Sequence, residues 1–223
     1  MDAVTYHSDI AQAFDERYRQ SPDFQERYRV WSALLNRYLR PGDRLLDAGC
    51  GSGVFSLYAA QRGAIVTAID GSAAMIDLTR QAAQRAQLTI CAEVDWLPFA
   101  HNRGAFDVVL SSSVLEYVPD LPGTLHSLDQ HVALGGLLIV SMPNRRSVYR
   151  KLERIVYWLT GRPAYLRHVL HYATPATLLR QLPAYQLISH RTYGGTNAYA
   201  RLLRLCLPTH HADTLFVAVF RKQ

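Results

Sequence analysis

The residues with the clearest chemical content are Asp47, Gly49, Gly51, Gly53 and Asp70. Three glycines spaced two apart follow the apolar pair Leu45 and Leu46, and a helix-like pattern resumes at Val54. Glycine at alternate positions lets the backbone turn through conformations closed to other residues and admits a ligand without Cβ clashes. The helix start beyond the turn presents free N–H groups to that ligand. The dinucleotide fingerprint G-x-G-x-x-G would need its third glycine at Val54, whereas here it comes one residue early, at Gly53. Asp47 places a carboxylate at the strand mouth, where it repels phosphate and favours an ammonium-bearing ligand such as an amino acid. Asp70 closes a second apolar run, nineteen residues after Gly51; an acid at this distance accepts both hydroxyls of a ribose in nucleotide folds of either kind. Gly71 and Ser72 open the next helix, and its Met75 is placed either to pack near an adenine or simply to fill the core.

Holding these groups in one place requires strands and helices in alternation. Helical periods run through Ile10, Ala13, Phe14 and Tyr18, and again from Pro22 through Phe24, Tyr28, Trp31, Leu35 and Tyr38. Strands are predicted at 45–48, 64–70, 88–94, 105–110 and 137–142, with helices at 55–61, from 72 onward and at 121–134, the last ending before Gly135 and Gly136. Such alternation implies an α/β protein whose sheet is parallel and whose ligand sits at the carboxyl ends of the strands. The 223 residues suit one domain: a helical cover over 1–40, a core over 43–142, a helical insert over 144–172 and the rest of the sheet over 173–223. No apolar run approaches the roughly 20 residues of a membrane-spanning helix. The first nine residues carry acids in place of a basic-then-apolar leader, and the three cysteines make neither a paired framework nor a C-x-x-C site, so a reducing cytoplasmic location is expected.

Further along the chain the motifs acquire a family likeness. The D-x-G-x-G-x-G pattern over 47–53 resembles the first motif of class I S-adenosylmethionine-dependent methyltransferases. Glu93, Val94 and Asp95 before Leu97-Pro98-Phe99 resemble that family's acid, small residue, acid and Leu-Pro-Phe pattern. Phe106, Asp107, Val108 and Val109, followed by a short helix ending in Leu115-Glu116-Tyr117, resemble its small-molecule members, which usually have His where Tyr117 stands. The likeness is close over 43–142 and looser elsewhere, and the organisation is similar to that of quinone-precursor O-methyltransferases. It implies a three-layer Rossmann-like sandwich with a seven-stranded, mostly parallel sheet, the last strand, 214–220, antiparallel beside 186–190. It also implies S-adenosylmethionine as cofactor, with Asp47, Gly49, Gly51, Gly53, Asp70, Gly71 and Met75 around it. By the same resemblance Glu93 accepts from the adenine amino group, with Asp95 as the alternative, and the Val94 N–H donates to the ring. Ser111 faces the cofactor's amino group by its backbone, and Tyr18 and Arg27 approach its methionyl end. Neither Asn-Pro-Pro-Tyr nor a Pro-Cys nucleophile follows the fourth strand, which argues against methylation of DNA adenine, protein glutamine or cytosine carbon.

A sulfonium is already a strong electrophile, so the protein must align nucleophile, methyl and sulfur, expel water, and deprotonate a hydroxyl acceptor. Candidate bases are His171, His168 and Tyr117, then Glu116 and, from the N-terminal cover, His7 and Tyr6; an imidazole suits a phenol best. No metal-ligand spacing is evident. The expected reaction is methyl transfer to a hydroxyl of a phenolic, quinone-like or polyketide-like small molecule. The alternatives are N- or C-methylation of a natural-product intermediate, an NAD(P)-binding oxidoreductase and a non-catalytic cofactor-binding subunit. The formal net charge of +6 is unevenly spread: residues 1–140 hold eleven arginines against sixteen acids, and 141–204 eleven basic residues against Glu153 alone. With no RNA-stacking module recognisable, nucleic acid is not the expected partner. A basic amphipathic helix over 145–160 is expected either to cap the core, to bind an anionic part of the substrate, or to touch an anionic membrane surface.

Overall fold

The computed structural model describes residues 20–196 and 198–223. The expected helix around Ile10 to Tyr18, and the candidates Tyr6, His7 and Tyr18 with it, lie outside those residues. In chain order the elements are α1 (Pro22–Tyr38), β1 (Arg44–Ala48), α2 (Val54–Gln61), β2 (Ile65–Asp70), α3 (Ala73–Arg85), β3 (Ile90–Val94), β4 (Phe106–Ser112), α4 (Leu121–Gln130), β5 (Val132–Pro143), α5 (Val148–Thr160), a 3₁₀ turn (Ala164–His168), α6 (Pro175–Leu179), β6 (Tyr185–Tyr193), α7 (Ala198–Cys206), α8 (Thr209–Ala212) and β7 (Leu215–Lys222).

The seven strands form one sheet in the order β3-β2-β1-β4-β5-β7-β6. The first five are mutually parallel, while β7 runs antiparallel between β5 and β6. Central parallel strands are covered on both faces, so they read as unbroken apolar runs, and successive side chains feed opposite layers. Leu45, Val108, Leu110 and Ile139 join one core with Trp31, Leu35 and Phe55, while Leu46, Val109 and Leu138 join the other with Leu125, Leu178 and Phe216. Trp31 stacks on Phe55 at 5.1 Å between ring centroids and donates from Nε1 to the Tyr193 hydroxyl at 3.3 Å, fixing α1 to both α2 and β6. Strand order reverses between β1 and β4, and in open α/β sheets the crevice beyond the carboxyl ends at such a point receives the ligand.

Two elements differ from expectation. The helix predicted over 121–134 ends at Gln130, and Gly135 and Gly136 lie inside β5. A Cβ on Gly136 would stand 2.8 Å from the Ala133 carbonyl and 3.0 Å from that of Asp107, and the pairing of β4 with β5 shifts register at this point, so the glycines serve an irregular strand crossing and not a helix stop. The short helix expected after β4 is a turn, closed by the Tyr117 N–H donating to the Val114 carbonyl at 2.9 Å. Ser113 in the left-handed region (φ 57°) precedes it, and Pro119 disfavours helical continuation after it.

Candidate active site

The chain leaves β1 through a loop tied to the end of β2. The N–H groups of Gly49 and Cys50 both donate to the Ile69 carbonyl, at 2.7 and 2.9 Å. Asp70 completes the tie: one carboxylate oxygen accepts the Gly51 N–H and the other the Ser72 N–H, each at 2.9 Å. Gly49 and Gly53 have φ of 82° and 77°, and there is no room for a side chain at either. A Cβ would stand 2.2 Å from Val114 at Gly49 and 2.6 Å from Thr79 at Gly53. The Thr79 hydroxyl donates to the Gly51 carbonyl at 3.0 Å, which prevents it from swinging aside. Gly53→Ala should therefore cost about 2 kcal/mol of stability from the left-handed conformation alone, with the Thr79 contact added; a chemical-denaturation midpoint measures it.

Asp47 is buried under this loop and accepts from Ser56 Oγ at 2.6 Å, across the start of α2. Burial lifts its carboxyl to about 6; the neighbouring Asp70 adds to the rise, and Ser56 and Arg27 oppose it. Burial raises Asp70 as well, against its two N–H donors, and lifts the Cys50 thiol, with both aspartates contributing. The loop end of the site therefore gathers two buried carboxyls whose ionised forms a cationic ligand would stabilise.

A cavity of about 770 Å³ opens above the carboxyl ends of the strands, within the range of small-molecule sites. Asp47, Gly49, Gly51, Asp70, Gly71 and Met75, all expected around the cofactor, are among the lining residues. Gly53 is not on the wall, although its neighbours Ser52 and Val54 are. Arg27 is also part of the lining and donates from Nη2 to the carbonyl and hydroxyl of Ser112 at 2.6 and 2.7 Å. Beyond β3 the wall takes Asp95, Trp96 and Leu97, but neither Glu93 nor Val94. Arg103 pairs with both Glu93 and Asp95, and Glu93 is the more exposed of the two. Although burial opposes it, the Arg103 hydrogen bond holds Asp95 below its ordinary carboxylate value. Ser111 is buried with no hydrogen-bond partner for its Oγ and lies off the wall, which is built instead from Ser112 and Ser113.

Of the candidate bases, Tyr117 lines the far end of the cavity, and burial pushes its phenol upward. His168 and His171 are not part of the lining. The His171 ring bonds through Nε2 to the Val118 carbonyl at 2.8 Å, and His168 Nε2 accepts from Arg167 Nε at 2.9 Å. The His171 ring thus ties the insert to the turn after β4, and the His168 ring meets the side chain of its neighbour. Glu116 is the group the cavity offers instead. It is 3% exposed and lines the wall, and its Oε2 has no hydrogen-bond partner. Burial raises its carboxyl to about 7, against smaller opposing effects of its own backbone, Arg27 and Arg150. Its main-chain carbonyl accepts the Leu170 and His171 N–H groups at 2.7 and 3.2 Å, so the insert fixes the backbone that carries it.

The sequence reading also missed a cluster from the insert, Arg150, Glu153 and Tyr165, which closes the same end of the cavity together with Tyr149. Arg150 donates to Glu153 at 2.7 Å and to the Tyr165 hydroxyl, which in turn donates to Glu153 at 2.6 Å. The available signal was Glu153 itself, a lone acid in a basic stretch, three residues after Arg150 on a helix. Among the described residues no group of three or more His, Cys, Asp or Glu could hold a metal ion.

A family model described as a methyltransferase domain matches residues 24–188. Malonyl-[acyl-carrier protein] O-methyltransferase of Serratia marcescens is 38% identical over 101 residues, 45% of this chain and 38% of that protein. Ubiquinone biosynthesis O-methyltransferase of Coxiella burnetii is 36% identical over 107 residues, 47% of this chain and 45% of that protein. Trans-aconitate 2-methyltransferase of Delftia acidovorans is 32% identical over 145 residues, 63% of this chain and 54% of that protein. The chain thus spans about half the length, or less, of these curated relatives. The solved structure of magnesium protoporphyrin IX methyltransferase from Synechocystis PCC 6803 with bound SAH has the same fold, with a TM-score of 0.75 over the whole of both chains at 17% identity.

Proposed function

The chain belongs to the class I S-adenosylmethionine-dependent methyltransferases, and on that premise we propose that it moves the methyl group of S-adenosylmethionine to a hydroxyl oxygen of a phenolic, quinone-like or polyketide-like small molecule. The residues present fit this cofactor. Gly49 keeps the loop clear of Cβ atoms, and the buried Asp47 and Asp70 favour a cation over the pyrophosphate of a dinucleotide. Asp70 would accept the ribose hydroxyls, the Asp47 end of the loop would take the ammonium, Met75, Trp96 and Leu97 would flank the adenine, and Asp95 would take its amino group.

When bound, this cofactor supplies an electrophilic methyl group, so the chain's own tasks are alignment, exclusion of water and removal of one proton. We assign the proton to Glu116 Oε2. A carboxyl poised at about 7 is half ionised at neutral pH and strong enough as a base to assist a phenol. Tyr117, Tyr149 and Tyr165 offer flat apolar faces for a ring-shaped acceptor, and the Arg150, Glu153 and Tyr165 cluster holds two of the elements that close the pocket over it. The single observation that carries the hydroxyl reading is the buried Glu116 among the residues that line the cavity, with one carboxylate oxygen left without a hydrogen-bond partner.

The test is transfer of labelled methyl from S-adenosylmethionine to panels of phenols, carboxylic acids and amines, repeated from pH 5.5 to 9. Transfer to phenols with a rate that rises through about pH 7 supports the reading. Transfer confined to carboxylic acids, which need no base at neutral pH, or to amines would overturn it.

A further inference from the structure

Helix α5 is built inside out. Tyr149, Arg150 and Glu153 turn toward the cavity, and none of the helix's thirteen residues is buried. Leu152, Ile155 and Leu159, spaced three and four apart on one face, are all exposed, Leu159 at 67%. Beside them, at the same spacing, run Lys151, Arg154 and Trp158, with Trp158 82% exposed. An exposed apolar stripe, with an edge of basic residues and one tryptophan, has the makeup of a helix lying in a lipid interface. The helix and its apolar periodicity are where the sequence predicts them, with the side that carries Tyr149, Arg150 and Glu153 toward the cavity and the apolar stripe exposed.

The charge around this stripe selects the occupant. Arg145 and Arg146 precede the helix and Arg162 follows it, all exposed. Glu153, the one acid between 141 and 204, is turned inward and consumed by Arg150 and Tyr165. α8 packs against both α5 and α7, and α7 adds exposed Leu202 and Leu205 next to exposed Arg201. A second copy of this chain would set these positive faces against each other without compensating acids. We propose that α5 is the element by which this protein rests on an anionic lipid bilayer, with Leu152, Ile155 and Leu159 in the acyl boundary and Lys151, Arg154 and Trp158 at the headgroups. The inner side of the same helix lines the cavity, which puts the site one helix away from the proposed lipid surface.

The test is cosedimentation of the full chain with vesicles of phosphatidylcholine alone and of phosphatidylcholine mixed with phosphatidylserine. Binding to the mixed vesicles at least tenfold above the neutral ones, weakened by high salt, is expected. Ile155→Glu with Leu159→Glu, and separately Lys151→Glu with Arg154→Glu, should each reduce it more than tenfold. In both variants the melting-temperature rise caused by S-adenosylhomocysteine should persist, which separates lost docking from lost folding. Absence of binding to either vesicle, equal binding to both, or a solution dimer that Leu159→Glu dissolves would overturn the proposal. None of these readouts needs a methyl acceptor, so failure here leaves the methyl-transfer reading standing.

Discussion

Glu116→Gln should lower methyl transfer to a hydroxyl acceptor by roughly 10²- to 10⁴-fold, the usual contribution of a positioned general base, while S-adenosylhomocysteine still binds. The amide keeps the shape of the side chain but takes up no proton. The rise of kcat through about pH 7 should vanish with it; a change near pH 6, from Asp47, should remain in both proteins. Stability moves the other way. The Glu116 carboxyl is raised from 4.5 to about 7 in the folded protein, so the folded state holds its proton more tightly than the unfolded chain does. The resulting stabilisation is complete below about pH 4.5 and is lost as pH rises toward 7. The glutamine variant does not lose it, and its advantage over the parent should grow across that interval by roughly 2–3 kcal/mol. A variant slower in catalysis yet harder to denature at pH 8 marks a buried carboxylate kept for chemistry. Unchanged kcat, or an identical pH profile, would return Glu116 to a structural role.

How much of this was legible beforehand depends on whether a signal is local. Gly49 and Gly53 report their own backbone angles, and Asp70 ends its strand wherever the strand goes, so the loop and its acid could be read from spacing. The choice between Glu93 and Asp95 could not, because Arg103 binds both and only the course of the chain beyond β3 brings Asp95 to the cavity. Periodicity showed that α5 has an apolar face; it carries no information on which face meets the protein, and the cluster of Arg150, Glu153 and Tyr165 turns that face outward. His168 and His171 are candidates by side-chain chemistry alone. Their directions follow from how the insert folds back, and that path takes His171 to the Val118 carbonyl and leaves Glu116 among the lining residues.

Asp70→Ala should weaken binding of S-adenosylmethionine and S-adenosylhomocysteine by roughly 10²-fold or more, because one side chain does two things at once. It is the acid at the end of β2 assigned to the ribose hydroxyls, and losing a charged acceptor from a buried site costs about 1.5–3 kcal/mol, which is about 10- to 100-fold. It also holds the Gly51 and Ser72 N–H groups at 2.9 Å, so its removal loosens the loop that must lie against the cofactor. Calorimetric titration with S-adenosylhomocysteine reads the affinity, and a thermal melt without ligand reads the loop's share, since binding to the native state alone raises stability by mass action. Asp70→Asn separates the two roles: it keeps one acceptor oxygen, so it should retain more stability than the alanine variant and still bind poorly. If Asp70→Ala binds within about twofold of the parent, the ribose lies elsewhere. The loop of Gly49, Gly51 and Gly53 would then be an ordinary strand-to-helix turn, and the cofactor's position above it would have to be found from the Asp95 and Trp96 side of the cavity.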